Sequence, residues 1–281
     1  MIIILMSFSN NFKKSNEFQK KTSNFFDVVE FNKSFGVIVN TVEKYDIFDK
    51  NPKLVKLRFS LIDEEVQELN DAFKEKDFIE VIDALTDILY VVYGAGASFG
   101  IDLDYTFNDY CLDTYQSCDF NASNFLKVKQ INREFIPESI QKDLFYTNQK
   151  SFRDNIINNY LKDINFYCEK LKESINDKEF DLTKHNLVSL VYYTYRMGLV
   201  LGINLDQSFD IVHKSNMSKL CRDKADAIIT VDKYKRTDSR YKNPAYRLSD
   251  NKRDWVVYNK DTGKILKSYK YTPANFAVML N

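Results

Sequence analysis

The alternation of apolar and polar positions predicts helices along most of the chain. Between residues 53 and 75, apolar side chains recur at steps of four and three, the spacing of one helix face. That stripe consists of Val55, Phe59, Ile62, Val66, Leu69 and Phe73. A second long helix is predicted from 78 to 98, and a shorter amphipathic helix from Val28 to Val39. The stripe of the second long helix consists of Phe78, Ile82, Leu85, Leu89 and Val92. The pattern therefore favours an all-α helical bundle.

Acidic side chains stand where these two helices should continue with apolar residues. Leu54, Leu57 and Leu61 are followed, at helical spacing, by Glu65 and Glu68. The next helix carries acids on one face, and these are Glu80, Asp83 and Asp87. The short polar turn 74–77 makes the helices antiparallel neighbours, so their acidic faces can meet. Clustered carboxylates repel unless a cation joins them, and oxygen ligands suit Mg²⁺ or Mn²⁺. The alternative is a set of solvated acids paired with Arg58, Lys74 or Lys76.

An internal repeat relates two apolar segments that lie 102 residues apart. Residues 85–104 align with 187–206, so that Tyr90 matches Tyr192 and Asp104 matches Asp206. Gly100 and Gly202 also coincide, and both are predicted to end a helix. The repeat indicates a duplicated helical unit. Such a duplication can fuse a two-fold dimer into one chain, so a monomeric pseudo-dimer and a homodimer are both open.

Composition and charge narrow the function classes. The 281 residues contain 40 Lys and Arg against 40 Asp and Glu, which argues against a globally basic nucleic-acid binder. Only 7 Gly and 4 Pro are present, which disfavours a turn-rich β fold. Two histidines and four cysteines without a CxxC pair exclude a zinc ribbon. No apolar run is long enough for a membrane span, so the sequence predicts a soluble cytoplasmic protein without a membrane partner.

The C-terminal part of the chain differs in composition from the rest. From Lys219 to Lys270 there are 15 Lys and Arg against 7 Asp. Trp255–Tyr258 and Lys264–Lys267, joined by a loop containing Gly263, read as a β-hairpin. The predicted divisions are a poorly ordered or loosely docked lead-in at 1–27, a first repeat at 28–120, a second at 121–220 and a basic tail at 221–281. Contact of this tail with RNA or DNA is one alternative function.

The acidic motif carries a resemblance to a known family. Leu61-Ile-Asp-Glu-Glu-Val-Gln-Glu-Leu69, followed by the acids from Glu80 to Asp87, resembles the EExxE…ExxD signature of the all-α NTP pyrophosphohydrolases. That superfamily includes MazG, the phosphoribosyl-ATP pyrophosphohydrolases and the dimeric dUTPases. The segments Ser215-Asn-Met-Ser-Lys219 and Gly263-Lys-Ile-Leu-Lys267 resemble the short MazG-like proteins, in the same order.

The resemblance implies a helical bundle that holds Mg²⁺ and hydrolyses a nucleoside triphosphate between its α and β phosphates. By motif position, Glu65, Glu68 and Asp87 would be metal ligands, and Glu80 or Asp83 would complete the set. The literal ExxD is Glu80–Asp83, whereas the apolar continuation matches at Asp87, so the second-helix position stays open. Glu64 would be the general base or an outer-shell partner of Arg58. The residues expected to contact phosphate are Arg58, Asn216, Lys219, Lys264 and Lys267.

The two copies divide these features between them. Matching Glu169 to Glu65 places Lys172, His185 and Ser189 at the other acidic positions, and such a set cannot hold Mg²⁺. The first copy, in turn, lacks the SNMSK segment. We therefore expect one composite site, with metal ligands from the first copy and phosphate contacts from the second. The alternative is a nucleotide-binding pseudoenzyme. The sequence does not specify a base or sugar preference.

Overall fold

Nine α-helices and one antiparallel hairpin make up the part of the chain that the structure describes. The structure is a computed structural model, and it describes residues 23–114, 123–128, 150–237 and 241–279. The helices are α1 (Asn24–Phe35), α2 (Ile47–Lys50), α3 (Pro52–Glu75), α4 (Phe78–Phe99), α5 (Leu103–Thr114), α6 (Lys150–Asn176), α7 (Phe180–Leu201), α8 (Leu205–Met217) and α9 (Lys224–Arg236). The strands are β1 (Pro244–Leu248) and β2 (Trp255–Asn259), and a 3₁₀ turn spans Phe276–Met279. A short helical turn lies at 124–128.

The predicted all-α fold is confirmed, with one shift of a helix. The helix predicted from Val28 to Val39 begins at Asn24, because Ser23 caps it, and ends at Phe35, because Gly36 adopts a left-handed conformation. The predicted lead-in at 1–27 lies outside the described residues up to residue 22, and so do residues 115–122 and 129–149 within the predicted repeats. Among the described residues, none of the helices combines the length and apolar character needed to cross a bilayer.

The helix pair α3–α4 forms the centre of the first half. Asn51 caps α3 and Pro52 occupies its first turn, where a missing N–H costs nothing. The link to α4 is a left-handed Lys76 followed by Asp77, whose carboxylate caps α4. This tight turn makes the two helices antiparallel. Their shared core is formed by fully buried side chains, and these include Ile62, Val66, Leu69, Ile82, Leu85 and Leu89.

The second half repeats this local geometry with an offset of 102 residues. Helix α7 begins and ends 102 residues after α4, and Lys178 is left-handed as Lys76 is. Gly100 and Gly202 both end their helices in the left-handed conformation, as predicted. The equivalence supports the predicted duplication, whose evolutionary origin stays a prediction.

One asparagine side chain from each half forms hydrogen bonds with residues of the other half. The Asn24 amide donates to the Tyr195 hydroxyl (2.6 Å) and to Asp206 Oδ1 (3.1 Å), and the Tyr195 hydroxyl donates to the same carboxylate (2.8 Å). The set in the opposite direction consists of Asn124, Tyr93 and Asp104. Because the two sets are reciprocal, they join the halves across a pseudo-two-fold arrangement of buried hydrogen bonds.

Substitution of Gly100 tests how closely the backbone at Val42 packs against the end of α4. Its φ is +81°, and a Cβ there would lie 1.9 Å from the Val42 carbonyl oxygen. We expect Gly100→Ala to lower the free energy of unfolding by more than about 3 kcal/mol, through backbone strain and the clash together. Gly263 is the matched control, because its φ is +71° but nothing lies within 4 Å of such a Cβ. Gly263→Ala should cost only about 1–2 kcal/mol. Urea unfolding of both variants measures the difference, and equal losses would contradict the assignment.

The C-terminal segment forms a small unit with its own core, and here the predicted strand pairing is confirmed in part. Strand β2 pairs along its length with β1, which precedes it. On its other edge β2 meets the predicted partner 264–267, through a bridge between Tyr258 and Ile265 and a hydrogen bond from the Leu266 N–H to the Val257 carbonyl at 2.8 Å. The missed strand begins with Pro244, which is tolerated because it is an edge strand. The hairpin and α9 enclose a second apolar cluster, formed by Cys221, Ala227, Val231, Val257 and Leu266.

Two hydrogen bonds attach the hairpin to the end of α1. Arg247 Nη2 donates to the Phe35 carbonyl at 2.6 Å, and Ser249 Oγ donates to the Ser34 carbonyl at 2.6 Å. These donors satisfy carbonyls that the end of a helix leaves without partners. The attachment positions the lysines that follow β2 relative to the helical bundle.

Candidate active site

The predicted acids line facing parts of α3 and α4, in two zones of exposure. Glu65, Asp83 and Asp87 are partly buried. The exposed acids at the rim are Glu64, Glu68 and Glu80. The inner three are held in place because the neighbouring apolar side chains, such as Val66 and Leu85, are fully buried in the helix pair. The sequence prediction of an acidic face between two antiparallel helices therefore agrees with the structure.

Glu65 lies in the least favourable electrostatic environment of this group. Burial, followed by repulsion from Asp87, Glu68, Glu64 and Asp83, raises the pKa of Glu65 to about 8. Its Oε2 atom is buried and has no hydrogen-bond partner among the described residues. A buried carboxylate oxygen without a donor is stabilised only by a proton or a cation. These are the properties of an oxygen that can ligate a metal ion.

The two aspartates of α4 respond to the same neighbours. Burial raises the pKa of Asp87 to about 7, with further repulsion from Asp83 and Glu68, and Lys219 acts in the opposite direction. Burial also raises the pKa of Asp83, with repulsion from Glu80 and Glu68. The two helices therefore place their acids within electrostatic range of one another. Both candidates for the second-helix position, Asp83 and Asp87, face the α3 acids.

The oxygen atoms of these acids are of the kind that Mg²⁺ binds, but the side chains do not surround one point at which an ion could be held. Within the described ranges, no three His, Cys, Asp or Glu side chains are arranged closely enough to hold a metal. The exposed glutamates of the rim, Glu68 and Glu80, are long side chains that can change rotamer. Oxygen donors from carboxylates alone fit Mg²⁺ or Mn²⁺. The metal site thus stays a prediction, consistent with the Glu65 oxygen that has no partner.

The predicted phosphate-contacting residues of the second half and the tail converge on Asp87. Lys219 is partly buried, and burial lowers its pKa, while Asp87 opposes this change and the nearby Lys267 and Lys264 add to it. Lys219 Nζ donates to Asn216 Oδ1 at 2.5 Å. The segments 215–219 and 263–267 therefore reach the same place, next to the α4 acids. This is the composite arrangement expected from the division of motifs between the two copies.

A polar connection that the sequence did not reveal links this cluster to α1. The Tyr90 hydroxyl lies 3.2 Å from His213 Nδ1, and burial raises the pKa of Tyr90 while the nearby Asn216 side chain opposes this change. On the far side, His213 Nε2 is 3.9 Å from Glu30 Oε2. The only sequence signal for this connection was the place of Tyr90 in the repeat. Asn216 thus lies close to Tyr90 and accepts a hydrogen bond from Lys219, on the side of the bundle where the acids lie.

Arg58 occupies a different position from the other predicted phosphate ligands. It is buried between α3 and α4, where its Nε donates to Ser98 Oγ at 2.9 Å and its Nη1 would lie 3.1 Å from a Cβ at Gly94. Burial lowers the pKa of Arg58 to about 10. It forms no ion pair with Glu64, although both residues are described, so the expected pairing of these two is not observed. Arg58 precedes Glu65 by seven residues, roughly 10 Å along the helix.

The second copy has a different residue set from the one matched by sequence. The left-handed residues Lys76 and Lys178 fix the offset at 102, so Tyr167, rather than Glu169, stands at the Glu65 position. The remaining equivalents of Glu68, Asp83 and Asp87 are Lys170, His185 and Ser189. The alignment by glutamates was wrong by two residues, because the buried pattern of α6 follows Ile164, Cys168 and Leu171. The conclusion that this copy cannot hold Mg²⁺ is unchanged.

Comparison with known proteins relates the segment that carries these acids to a known family. The family model described as phosphoribosyl-ATP pyrophosphohydrolase matches residues 30–109, which contain the whole acidic face of α3 and α4. Residues 30–109 thus belong to this MazG-like, all-α pyrophosphohydrolase family. A match to this family indicates a hydrolase type that acts on pyrophosphate bonds of nucleotides. The predicted resemblance is therefore confirmed.

A relative extends the similarity beyond the family segment. An uncharacterised protein of Acanthamoeba polyphaga mimivirus, L479, is 38% identical over 264 residues, covering 93% of this chain and 97% of its own. The similarity thus includes the second half and the C-terminal unit, which the family model does not reach. No solved structure matches the chain. The family match therefore covers the half that carries the acids, and the viral relative is similar along nearly the whole chain.

Proposed function

We propose that this protein hydrolyses a nucleoside triphosphate between its α and β phosphates, releasing the nucleoside monophosphate and pyrophosphate with Mg²⁺ as cofactor and Mn²⁺ as a substitute. The observation that carries the proposal is the partnerless, buried Glu65 oxygen among four neighbouring carboxylates, opposite Lys219. A site with uncompensated negative charge and an adjacent lysine suits a metal-chelated polyphosphate, because the metal binds the acids and the lysine binds the phosphate oxygens.

The roles of the residues are those that the family motif implies, and their exposure and charge are consistent with them. Glu65, Glu68 and Asp87 would hold the ion together with Glu80 or Asp83, and Mg²⁺ would neutralise phosphate charge and lower the pKa of a bound water. Glu64, exposed on the rim of α3, is placed to accept a proton from the attacking water. Asn216 and Lys219 bind and orient the phosphates, and Lys264 and Lys267 add positive charge beside them. Arg58 would support the site from its buried position.

A nucleotide-binding pseudoenzyme is the competing reading. It would account for the second copy, whose equivalents of the acids are Lys170, His185 and Ser189. The first copy, however, retains every acidic position, and the raised pKa values of Glu65 and Asp87 are typical of the charge clusters found at catalytic sites. These observations favour turnover over binding alone.

A pyrophosphate-release assay tests the proposal directly. The full chain, with Mg²⁺, should release pyrophosphate from at least one of the eight common ribo- and deoxyribonucleoside triphosphates, and EDTA should stop the reaction. Mn²⁺ should restore it after removal of EDTA. Binding of nucleotides without turnover across the whole panel would support the pseudoenzyme, and release of orthophosphate instead of pyrophosphate would place the cleaved bond elsewhere.

A further inference from the structure

A cavity of about 380 Å³ opens on the hairpin unit next to the lysines of the composite site. It is lined by Tyr241, Lys242, Asn259, Asp261, Thr262 and Lys264. One of these residues, Lys264, is also one of the two lysines whose positive charge lowers the pKa of Lys219. The cavity is therefore adjacent to the place where the phosphates of a substrate would lie, although none of the acids of α3 or α4 lines it.

The loop on one side of this cavity is held rigidly by a buried amide. Asn259 is 2% exposed, and its Oδ1 accepts hydrogen bonds from the backbone N–H groups of Asp261 and Thr262, both at 3.0 Å. The Asn243 amide donates to both carboxylate oxygens of Asp261 at 2.8 Å. Gly263 closes the turn in the left-handed conformation with open space around it. The polar groups of the loop are thus fixed before any ligand arrives.

An aromatic ring forms the opposite side. The Tyr241 ring packs edge-on to Tyr234 with centroids 6.3 Å apart, and Lys264 Nζ lies 5.9 Å from the Tyr241 centroid. The Tyr234 hydroxyl donates to the Lys267 carbonyl at 3.2 Å. The same tyrosine pair therefore holds both the ring that faces the cavity and the backbone of the lysine segment.

These features distinguish between the two ends of a nucleotide. A polyphosphate chain would be repelled by the fixed Asp261 carboxylate, whereas a base or ribose can donate to it. A tyrosine face stacks on any base, and such stacking tolerates different sequences and bases. Two lysines, Lys242 and Lys264, also line the cavity, and of these Lys264 lies within electrostatic range of Lys219 and so points the way to the phosphate-binding lysines.

Resting on the proposed function, we propose that this cavity receives the base and ribose of the nucleoside triphosphate, with the base stacked on Tyr241, while the phosphates extend past Lys264 toward Lys219 and the acids. The hairpin unit then contributes to substrate binding with its aromatic cavity as well as with its lysines. The family segment at 30–109 does not include this cavity.

Kinetics with and without a base in the ligand test this proposal. We expect Tyr241→Leu, which fills the space without a π face, to raise KM for the preferred triphosphate by about 10-fold. Tyr241→Trp should keep KM within about three-fold of the wild type, because it retains a stacking surface. Inhibition by inorganic tripolyphosphate, which has no base, should be unchanged in both variants. Tyr105→Leu is the control, because Tyr105 is 65% exposed on α5, outside the cavity and the acidic face.

The remaining outcomes separate this inference from the proposed function. An unchanged KM in Tyr241→Leu, or an equal loss of affinity for nucleotide and tripolyphosphate, would overturn the base-binding assignment while leaving hydrolysis intact. A wild-type protein that neither hydrolyses nor binds any triphosphate of the panel, including non-hydrolysable α,β-methylene analogues, would overturn both. Thermal unfolding of each variant identifies any loss of affinity that is caused by misfolding. If Tyr241→Leu does not fold, the KM of Tyr241→Trp decides whether the base stacks at this position.

Discussion

Glu65→Gln is expected to lower the rate of pyrophosphate release by roughly 10²- to 10⁴-fold at saturating substrate and Mg²⁺. Glutamine has nearly the same shape, but it removes the negative charge of the oxygen that lies buried without a partner. The acid cluster then binds the ion more weakly, and the polyphosphate loses the cation that neutralises it. A continuous pyrophosphate assay with the preferred triphosphate measures the effect.

Glu75→Gln provides the matched control on the same helix. Glu75 is exposed at the C-terminal end of α3, ten residues beyond Glu65, and lies outside the set of acids that raise the pKa of Glu65. Its substitution should leave the rate within about two-fold of the wild type, as expected for a surface site away from the chemistry. A Glu65→Gln protein that retains a third or more of the wild-type rate would show that this carboxylate is not part of the catalytic machinery.

The helices and the acidic face could be predicted from the sequence because both are local. Apolar residues at steps of three and four place Ile62 and Leu69 in the core, and the same periodicity places Glu65 beside them. The capping residues are local signals as well, since Asn51 caps the start of α3 and Gly100 ends α4, each within one turn. Whatever depends on helical spacing within some thirty residues was therefore accessible before the structure.

The contacts between segments that are far apart in the chain could be predicted from the sequence only in part. Shared motifs suggested that Lys219 and Lys264 meet the acids, but nothing local predicted that β2 pairs with a strand before it, because Arg247 and Ser249 dock on α1 more than 200 residues earlier in the chain. Tyr241 stands in a basic stretch without periodicity, so its ring facing the cavity depends on the fold alone. The two-residue error in aligning the second copy arose from matching glutamates instead of buried positions.

The same acids that are proposed to bind the metal should destabilise the protein when the metal is absent. The pKa of Glu65 is raised to about 8 and that of Asp87 to about 7, well above the ordinary values of 4.5 and 3.8 that they regain on unfolding. Between those values the folded state holds more protons than the unfolded state. The free energy of unfolding must therefore fall as the pH rises from about 5 to 8, and the full cost is present above the folded-state pKa values.

Removing one charge should reverse this cost, so that the inactive variant is the more stable one. In EDTA at pH 9 we expect Glu65→Gln to raise the free energy of unfolding by about 1–2 kcal/mol, less than the pKa change alone would give because solvent screens a half-buried group. The gain should shrink by about half at pH 6, where the folded wild type already carries a proton at this position. Urea unfolding at both pH values measures this gain, and Glu75→Gln should show no such pH dependence.

Mg²⁺ or Mn²⁺ added at pH 8 should stabilise the wild type and have little effect on Glu65→Gln. The ion neutralises the charge of the Glu65 carboxylate in the wild type, whereas the substitution has already removed that charge. A variant that is less stable than the wild type at pH 9 would mean that the Glu65 carboxylate is already compensated within the folded chain, and with it the reason for a cation at this position would disappear.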